Sequence, residues 1–161
     1  MKLRFLGTCG GRYATGKQTR KTGGIVLKSD ETQVHIDPGP GALVGAHETL
    51  QDPFETEGVI VSHAHLDHGN DAEAIIELMT EAGDKRGALF ASESVLSGYG
   101  DLEKSVSEYH KDLCGKVKKM KEGSKFNFKD LEIESQEMFH SDPKTQGFKI
   151  SDGEKTIGFW T

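Results

Sequence analysis

Val59-Ile60-Val61-Ser62-His63-Ala64-His65-Leu66-Asp67-His68-Gly69 places three histidines and an aspartate within six positions, directly behind an apolar run that reads as a strand. Imidazole nitrogens and carboxylate oxygens on one short segment are a donor set for zinc, and manganese or iron suits the same set. Side chains alternate along an extended chain, so His63 and His65 point to one side and can grip one ion. Asp67 and His68 follow where the chain has to turn, and there they can face a second. The spacing therefore implies two divalent metal ions, zinc being the first choice. The competing reading, a solvated histidine-rich loop, does not account for the strand immediately before it.

On the N-terminal side, Lys2 to Leu6 reads as a strand, and Gly24 to Lys28 with Gln33 to Asp37 reads as a hairpin around Ser29-Asp30-Glu31-Thr32. Pro38, Gly39, Pro40 and Gly41 interrupt any regular element, Ala42 to Leu50 suits a short helix, and Gly58 to Ser62 is a buried strand. On the C-terminal side, Asp71 is placed to begin a helix whose stripe of Ala74, Ile75, Leu78, Met79 and Ala82 stops at Gly83. Ala88 to Ala91 returns as a strand, and Leu102 to Leu113 reads as a second helix carrying Val106, Tyr109 and Leu113. Lys116 to Met120, Lys125 to Phe128, Leu131 to Phe139, Thr145 to Ile150 and Thr156 to Trp160 then read as strands. Strands, helices between strands, and strands again belong to a layered α/β class.

With 161 residues, 34% of them hydrophobic, the chain has the length and the apolar content of one domain, residues 1–161. A net charge of −6 argues against a general nucleic-acid coat, which is ordinarily basic. Met1 to Leu6 leads straight into a strand and lacks the apolar stretch of a signal peptide, and no run is long enough to span a membrane. Cys9 and Cys114 lie far apart with no Cys-x-x-Cys pairing, so both read as reduced thiols in a cytoplasmic protein. The stretch from Gly10 to Gly24 carries Arg12, Lys17, Arg20 and Lys21 and no acidic residue. It suits either reception of a phosphate by backbone N–H groups and cationic side chains or a solvated loop, and it lacks the P-loop pattern. Lys116, Lys118, Lys119 and Lys121 are assigned no role, and His35, His47 and His110 are assigned no metal.

The run His63-Ala64-His65-Leu66-Asp67-His68 resembles the His-x-His-x-Asp-His signature of the metallo-β-lactamase fold hydrolases. The likeness continues, in the family's order, through Phe5-Leu6-Gly7-Thr8, His35-Ile36-Asp37-Pro38-Gly39-Pro40-Gly41 and Met138-Phe139-His140. The opening strand, the Gly-rich loop and the Asp-Pro-Gly turn look most like the branch of phosphodiesterases and tRNA 3′-end endonucleases. The resemblance implies a four-layer αββα sandwich of which this chain is the N-terminal two thirds. It implies a first ion held by His63, His65 and His140, a second held by Asp67 and His68, and Asp67 as the catalytic residue. It places Asp37 beside the metals, where it either orients a ligand imidazole or forms the turn. The family's bridging aspartate and a further histidine come later than Thr156-Ile157-Gly158-Phe159-Trp160-Thr161, so the fold is expected to be C-terminally incomplete and the second ion weakly held. Phe159 and Trp160 are expected to be uncovered unless a homodimer partner or a complementing chain adds to the edge strand.

The motif carries hydrolysis by a metal-activated water, and the basic loop carries a phosphodiester as substrate, small-molecule or nucleotide. The acidic charge and the lack of a long Gly/Pro-rich inserted arm favour a small phosphodiester over tRNA. Two alternatives share the residues: hydrolysis of a lactone, thioester or β-lactam on the same centre, and a non-catalytic metal-binding or assembly module.

Overall fold

The computed structural model describes residues 1–161. The chain runs β1 (Lys2–Phe5), α1 (Arg12–Lys17), β2 (Ile25–Lys28), β3 (Gln33–Ile36), α2 (Ala42–Glu48), β4 (Gly58–Val61), α3 (Leu66–Gly69), α4 (Ala72–Met79) and β5 (Arg86–Ala91). It continues through α5 (Glu93–Ser97), α6 (Glu108–Leu113), β6 (Cys114–Lys119), β7 (Lys125–Phe128), β8 (Leu131–Glu137), β9 (Gln146–Ser151) and β10 (Thr156–Phe159). Strands β1 to β6 form one sheet in sequence order, antiparallel from β1 to β3 and parallel from β3 to β6. The second sheet, β10-β9-β8-β7, is antiparallel throughout.

Parallel neighbours cannot be joined by a tight turn, so each parallel step carries its helices in the crossover. Helix α2 lies between β3 and β4, α3 and α4 between β4 and β5, and α5 and α6 between β5 and β6. Ala72, Ile75, Ile76 and Met79 of α4 pack on Val59, Val61, Leu89 and Ala91, one face of β4 and β5. The opposite face, with Val34, Ile36, Ile60 and Phe90, packs on Leu131, Ile133, Phe148 and Ile150 of the second sheet. Strand β4 is thus buried at every residue, which is why it reads as an unbroken apolar run. The second sheet turns Glu132, Glu134, Gln136 and Lys149 outward to solvent. The layers are helix, sheet and sheet, three of the four in an αββα sandwich. No helix is long and apolar enough to cross a membrane.

The observed elements differ from the sequence expectation at several points, among them α5, a helix where no element was expected. The second helix starts at Glu108, not Leu102, because Ser107 caps it by accepting the His110 N–H and because Ser105 and Val106 donate to the Val95 carbonyl instead. The basic loop contains a helix, α1, too short to show periodicity. Strand β8 ends at Glu137, and Phe139, expected within it, is fully exposed. At the last strand, Phe159 stacks on Phe148 at 4.9 Å and is only partly exposed, while Trp160, 50% exposed, lies over Gly147 and Gly158. Trp160 is thus uncovered as expected and Phe159 is not, and at the far edge of the other sheet Leu3 and Phe5 of β1 are exposed as well, although Leu27, opposite Leu3, is in the inter-sheet core.

Two glycines bring the site loops together. Gly24 has φ +79°, and a Cβ there would fall 2.1 Å from the Asp37 carbonyl oxygen. A Cβ on Gly39 would fall 2.0 Å from the carbonyl oxygen of Asp67. Only bare backbone lets these segments approach so closely.

His35 is completely buried on β3, opposite in direction to Val34 and Ile36, and neither ring nitrogen has a partner. Burial, reinforced by the charge of Lys28, holds its pKa down to about 4 against an ordinary 6.5. A histidine that protonates more readily unfolded than folded stabilises the fold fully above pH 6.5, and that contribution is lost as pH falls towards 4. The stability of His35→Leu relative to the parent in urea unfolding is therefore expected to be greater at pH 4 than at pH 7.5 by on the order of 3 kcal/mol. A difference independent of pH would refute this reading.

Candidate metal centre

The site lies beyond the carboxyl ends of β3 and β4, the end of a parallel sheet at which ligands bind in open α/β folds. Strand β3 delivers Asp37, the exit from β4 delivers His63 and His65, and α3 turns Asp67 and His68 towards the same space. His140 arrives from the β8–β9 loop of the other sheet. His63, His65, Asp67, His68 and His140 line one cavity of about 680 Å³, together with Arg12 and Tyr13 of α1.

The ligand atoms of His63, His65 and His140 lie within 4.8 Å of one another, with His63 Nε2 3.0 Å from His65 Nδ1. The His140 ring centroid is 4.5 Å from that of His63 and 5.0 Å from that of His65. Three imidazoles with converging nitrogens, one ring fully buried, fit a divalent ion that keeps a fourth position for water. Burial first, then the charges of His68, His140, His65 and Arg12, lower the pKa of His63 to about 2, so its ring is neutral and its lone pair available. Burial and Arg12 lower His65 as well.

His68 is different. Burial pushes its pKa down, but the hydrogen bond and charge of Asp37, with the charge of Asp67, outweigh burial and raise it. Its Nδ1 lies 2.6 Å from Asp37 Oδ2, which leaves Nε2 for the cavity, 3.5 Å from Asp67 Oδ2. Asp67 Oδ2 also accepts the Gly11 N–H at 2.7 Å, fastening the basic segment to the histidine turn.

Asp37 lies close enough to His63 and His68 to count as a ligand itself. Its oxygens are already engaged: Oδ1 accepts the Ser62 N–H at 2.7 Å, and Oδ2 accepts the Ser62 hydroxyl at 2.6 Å besides facing His68. Ser62 Oγ in turn lies 2.9 Å from His63 Nδ1, directing Nε2 at the cluster. With φ +47°, Asp37 also makes the turn, so one residue both holds the His68 ring and forms the bend.

All five residues singled out as ligands meet in this cavity. The pairing of Asp67 with His68 is looser than that of Asp37 with His68. Of the basic residues, Arg12 reaches the cavity, Lys21 pairs with Glu48, Lys17 lies 4.3 Å over the Tyr13 ring, and Arg20 is exposed. His110 sits between Glu73 and Glu77, tying α6 to α4, and His47 is exposed on α2. Sequence reasoning missed Ser62 and Asp142. The first is adjacent to His63, a position that suggests a partner for Nδ1; the second, in Ser141-Asp142-Pro143, looks like a turn former and carries no other local signal.

The family described as the Beta-lactamase superfamily domain matches residues 32–161. An uncharacterized protein of Methanocaldococcus jannaschii, MJ1374, is 37% identical over 160 residues, which are 99% of this chain and 60% of that protein. Among solved structures, the metallo-beta-lactamase fold protein YhfI from Bacillus subtilis aligns with a TM-score of 0.72 at 16% identity, over 97% of this chain and 60% of that one. Human tRNase Z, short form, aligns with a TM-score of 0.70 at 14% identity, over 100% of this chain and 69% of that one. The chain thus spans about three fifths of the length of MJ1374 and of YhfI.

Proposed function

Because the chain belongs to the beta-lactamase superfamily and has the metallo-β-lactamase fold, we propose that it carries the metal centre of a hydrolase that cleaves a phosphodiester. The observation that carries the reading is the placement of Arg12 in the same cavity as the converging imidazoles. Its charge is felt at His63 and His65. A guanidinium beside a hydrolytic centre suits a substrate that stays anionic through the reaction, as a phosphodiester does and a neutral lactone does not.

His63, His65 and His140 would hold the first ion, and Asp67 with His68 the second. Bound divalent ions supply Lewis acidity to a phosphoryl oxygen and a water acidic enough to ionise near neutral pH. The chain's own residues do the rest. Asp37 and Ser62 fix the rings of His68 and His63 through the nitrogens that face away from the cavity. Asp67 lines the cavity, and its carboxylate, with Oδ2 held by the Gly11 N–H, is the group placed to accept a proton from the attacking water. Arg12 binds a phosphate oxygen, and the exposed Tyr13 ring beside it offers a face to an aromatic group such as a nucleobase.

The proposal includes zinc as the metal and a small or nucleotide phosphodiester as substrate. It includes a reducing cytoplasmic setting as well, in keeping with the free thiols of Cys9 and Cys114. A partner, whether a second copy or a complementing chain, would add its strand at the outer edge of β10, the terminal strand of the second sheet.

Arg12→Ala is expected to lower kcat/KM for bis(p-nitrophenyl) phosphate about 100-fold, the size of one lost oxyanion donor, while any lactone hydrolysis changes by less than about 3-fold. Steady-state kinetics on the zinc-loaded protein checks this. Efficient lactone turnover with no phosphodiester turnover would overturn the reading.

A further inference from the structure

Asp142 is a completely buried carboxylate with no part in the chemistry above. It sits in the β8–β9 loop, two residues past His140. Its Oδ2 accepts the backbone N–H of Ala64 at 3.0 Å and the hydroxyl of Ser94 at 2.5 Å. Ala64 is the residue between His63 and His65, and Ser94 stands in α5, immediately after β5. Asp142 Oδ1 accepts the Lys144 N–H at 2.8 Å, and the Asp142 N–H points to His140 Nδ1 at 3.3 Å.

One side chain therefore joins both sources of the three-histidine cluster. Ala64 and Asp142 are 78 residues apart and belong to loops of different sheets. The carboxylate clamps the turn that carries His63 and His65, while the backbone of the same residue occupies His140 Nδ1 and leaves Nε2 free. A second cross-link, from the Gln146 N–H to the Ser62 carbonyl at 3.0 Å, lies at the other end of the same loop. His140 itself lies between Asp142 and Met138, whose N–H donates to the Thr145 carbonyl at 3.0 Å, so the stretch that carries it is held on both sides. A ligand delivered by a free loop must be ordered when the ion binds, and that entropy is subtracted from affinity; a ligand on a fastened loop is ordered beforehand.

We propose that Asp142 is the positioning residue that assembles the three-histidine cluster across the two sheets, setting its affinity for the first ion without touching that ion. The inference rests on His63, His65 and His140 being a metal site; it does not require phosphodiester hydrolysis.

The test is titration of Co²⁺ alone into chelator-stripped protein, with affinity read by competition against a chromophoric chelator and ligand geometry read from the cobalt visible spectrum. Asp142→Ala is expected to weaken the first ion 10–100-fold and alter the spectrum, the usual effect of removing a partner that orients metal ligands. Asp142→Asn keeps one acceptor but turns an N–H towards a donor, and Ser94→Ala removes a single bond; both are expected to show smaller losses in the same direction. Titrations are run well below the thermal midpoint of each variant. A purely structural role would lower that midpoint and leave Co²⁺ affinity within 2-fold of the parent, which would overturn the proposal, as would parent protein that takes up no Co²⁺. If Asp142→Ala does not fold, Asp142→Asn and Ser94→Ala decide, and unchanged affinity in both overturns it. Weakened Co²⁺ binding in the variants, alongside a zinc-loaded parent that cleaves no phosphodiester, would sustain this proposal while the hydrolase reading fails.

Discussion

His65→Ala is expected to lower turnover of bis(p-nitrophenyl) phosphate by about 1,000-fold and to take the first ion from about one per chain to near none. His65 is the member of the three-histidine cluster best suited to this test. It is only partly buried and follows the end of β4, so its loss leaves the apolar core intact, unlike loss of the fully buried His63. Its Nδ1 lies 3.0 Å from His63 Nε2, close enough for one ion to bind both, and two imidazoles would remain in its absence. A 1,000-fold loss corresponds to about 4 kcal/mol of transition-state stabilisation, within reach of a group that holds the reacting centre. Metal per chain by elemental analysis, taken with kcat/KM on the same samples, reads both effects. Full metal content with undiminished turnover would remove His65 from the centre. Stripping the parent protein with a chelator should reproduce the loss, and zinc should restore it.

Asp37→Ala is expected to destabilise the fold by about 4 kcal/mol, because the side chain accepts from two groups on Ser62 and faces His68 Nδ1 in a buried setting. Part of that cost is conformational: φ is +47°, a region that aspartate and asparagine tolerate and alanine does not. For a chain of this size the loss lowers the thermal midpoint by about 10 °C. Asp37→Asn keeps the backbone preference and one acceptor, so about half the loss is expected. Both variants should also release His68 from the partner that raises its pKa, and with it the orientation of Nε2 towards Asp67. Thermal and urea unfolding measure the first effect, and zinc stoichiometry the second. A stability change under about 1 kcal/mol in Asp37→Ala would show that the three contacts are not made in solution.

The strands and the histidine turn were legible because their information is local. Apolar runs such as Gly58–Val61 mark buried strands, and His63 and His65 share a side through simple alternation. The helix expected from Leu102 was misread because Val106, buried at the start of an apparent helical stripe, is anchored to Val95 by the backbone while Ser107 begins the helix later. Helix α1 was not foreseen; it is less than two turns long and its position depends on the Gly11 N–H meeting Asp67.

The amino-acid sequence alone determined the layered α/β class and the four candidate ligands of one short segment, because neighbours in the chain on a strand end and a turn are neighbours in space. Tertiary structure decided which distant groups join them: His140 and Asp142 from the opposite sheet, Asp37 behind His68, and Arg12 across the cavity. These meetings follow from burial of a shared core, in which Phe90, Ile133 and Phe148 set one sheet upon the other. Burial favours apolar contact without specifying by any period in the sequence which loops it will bring together.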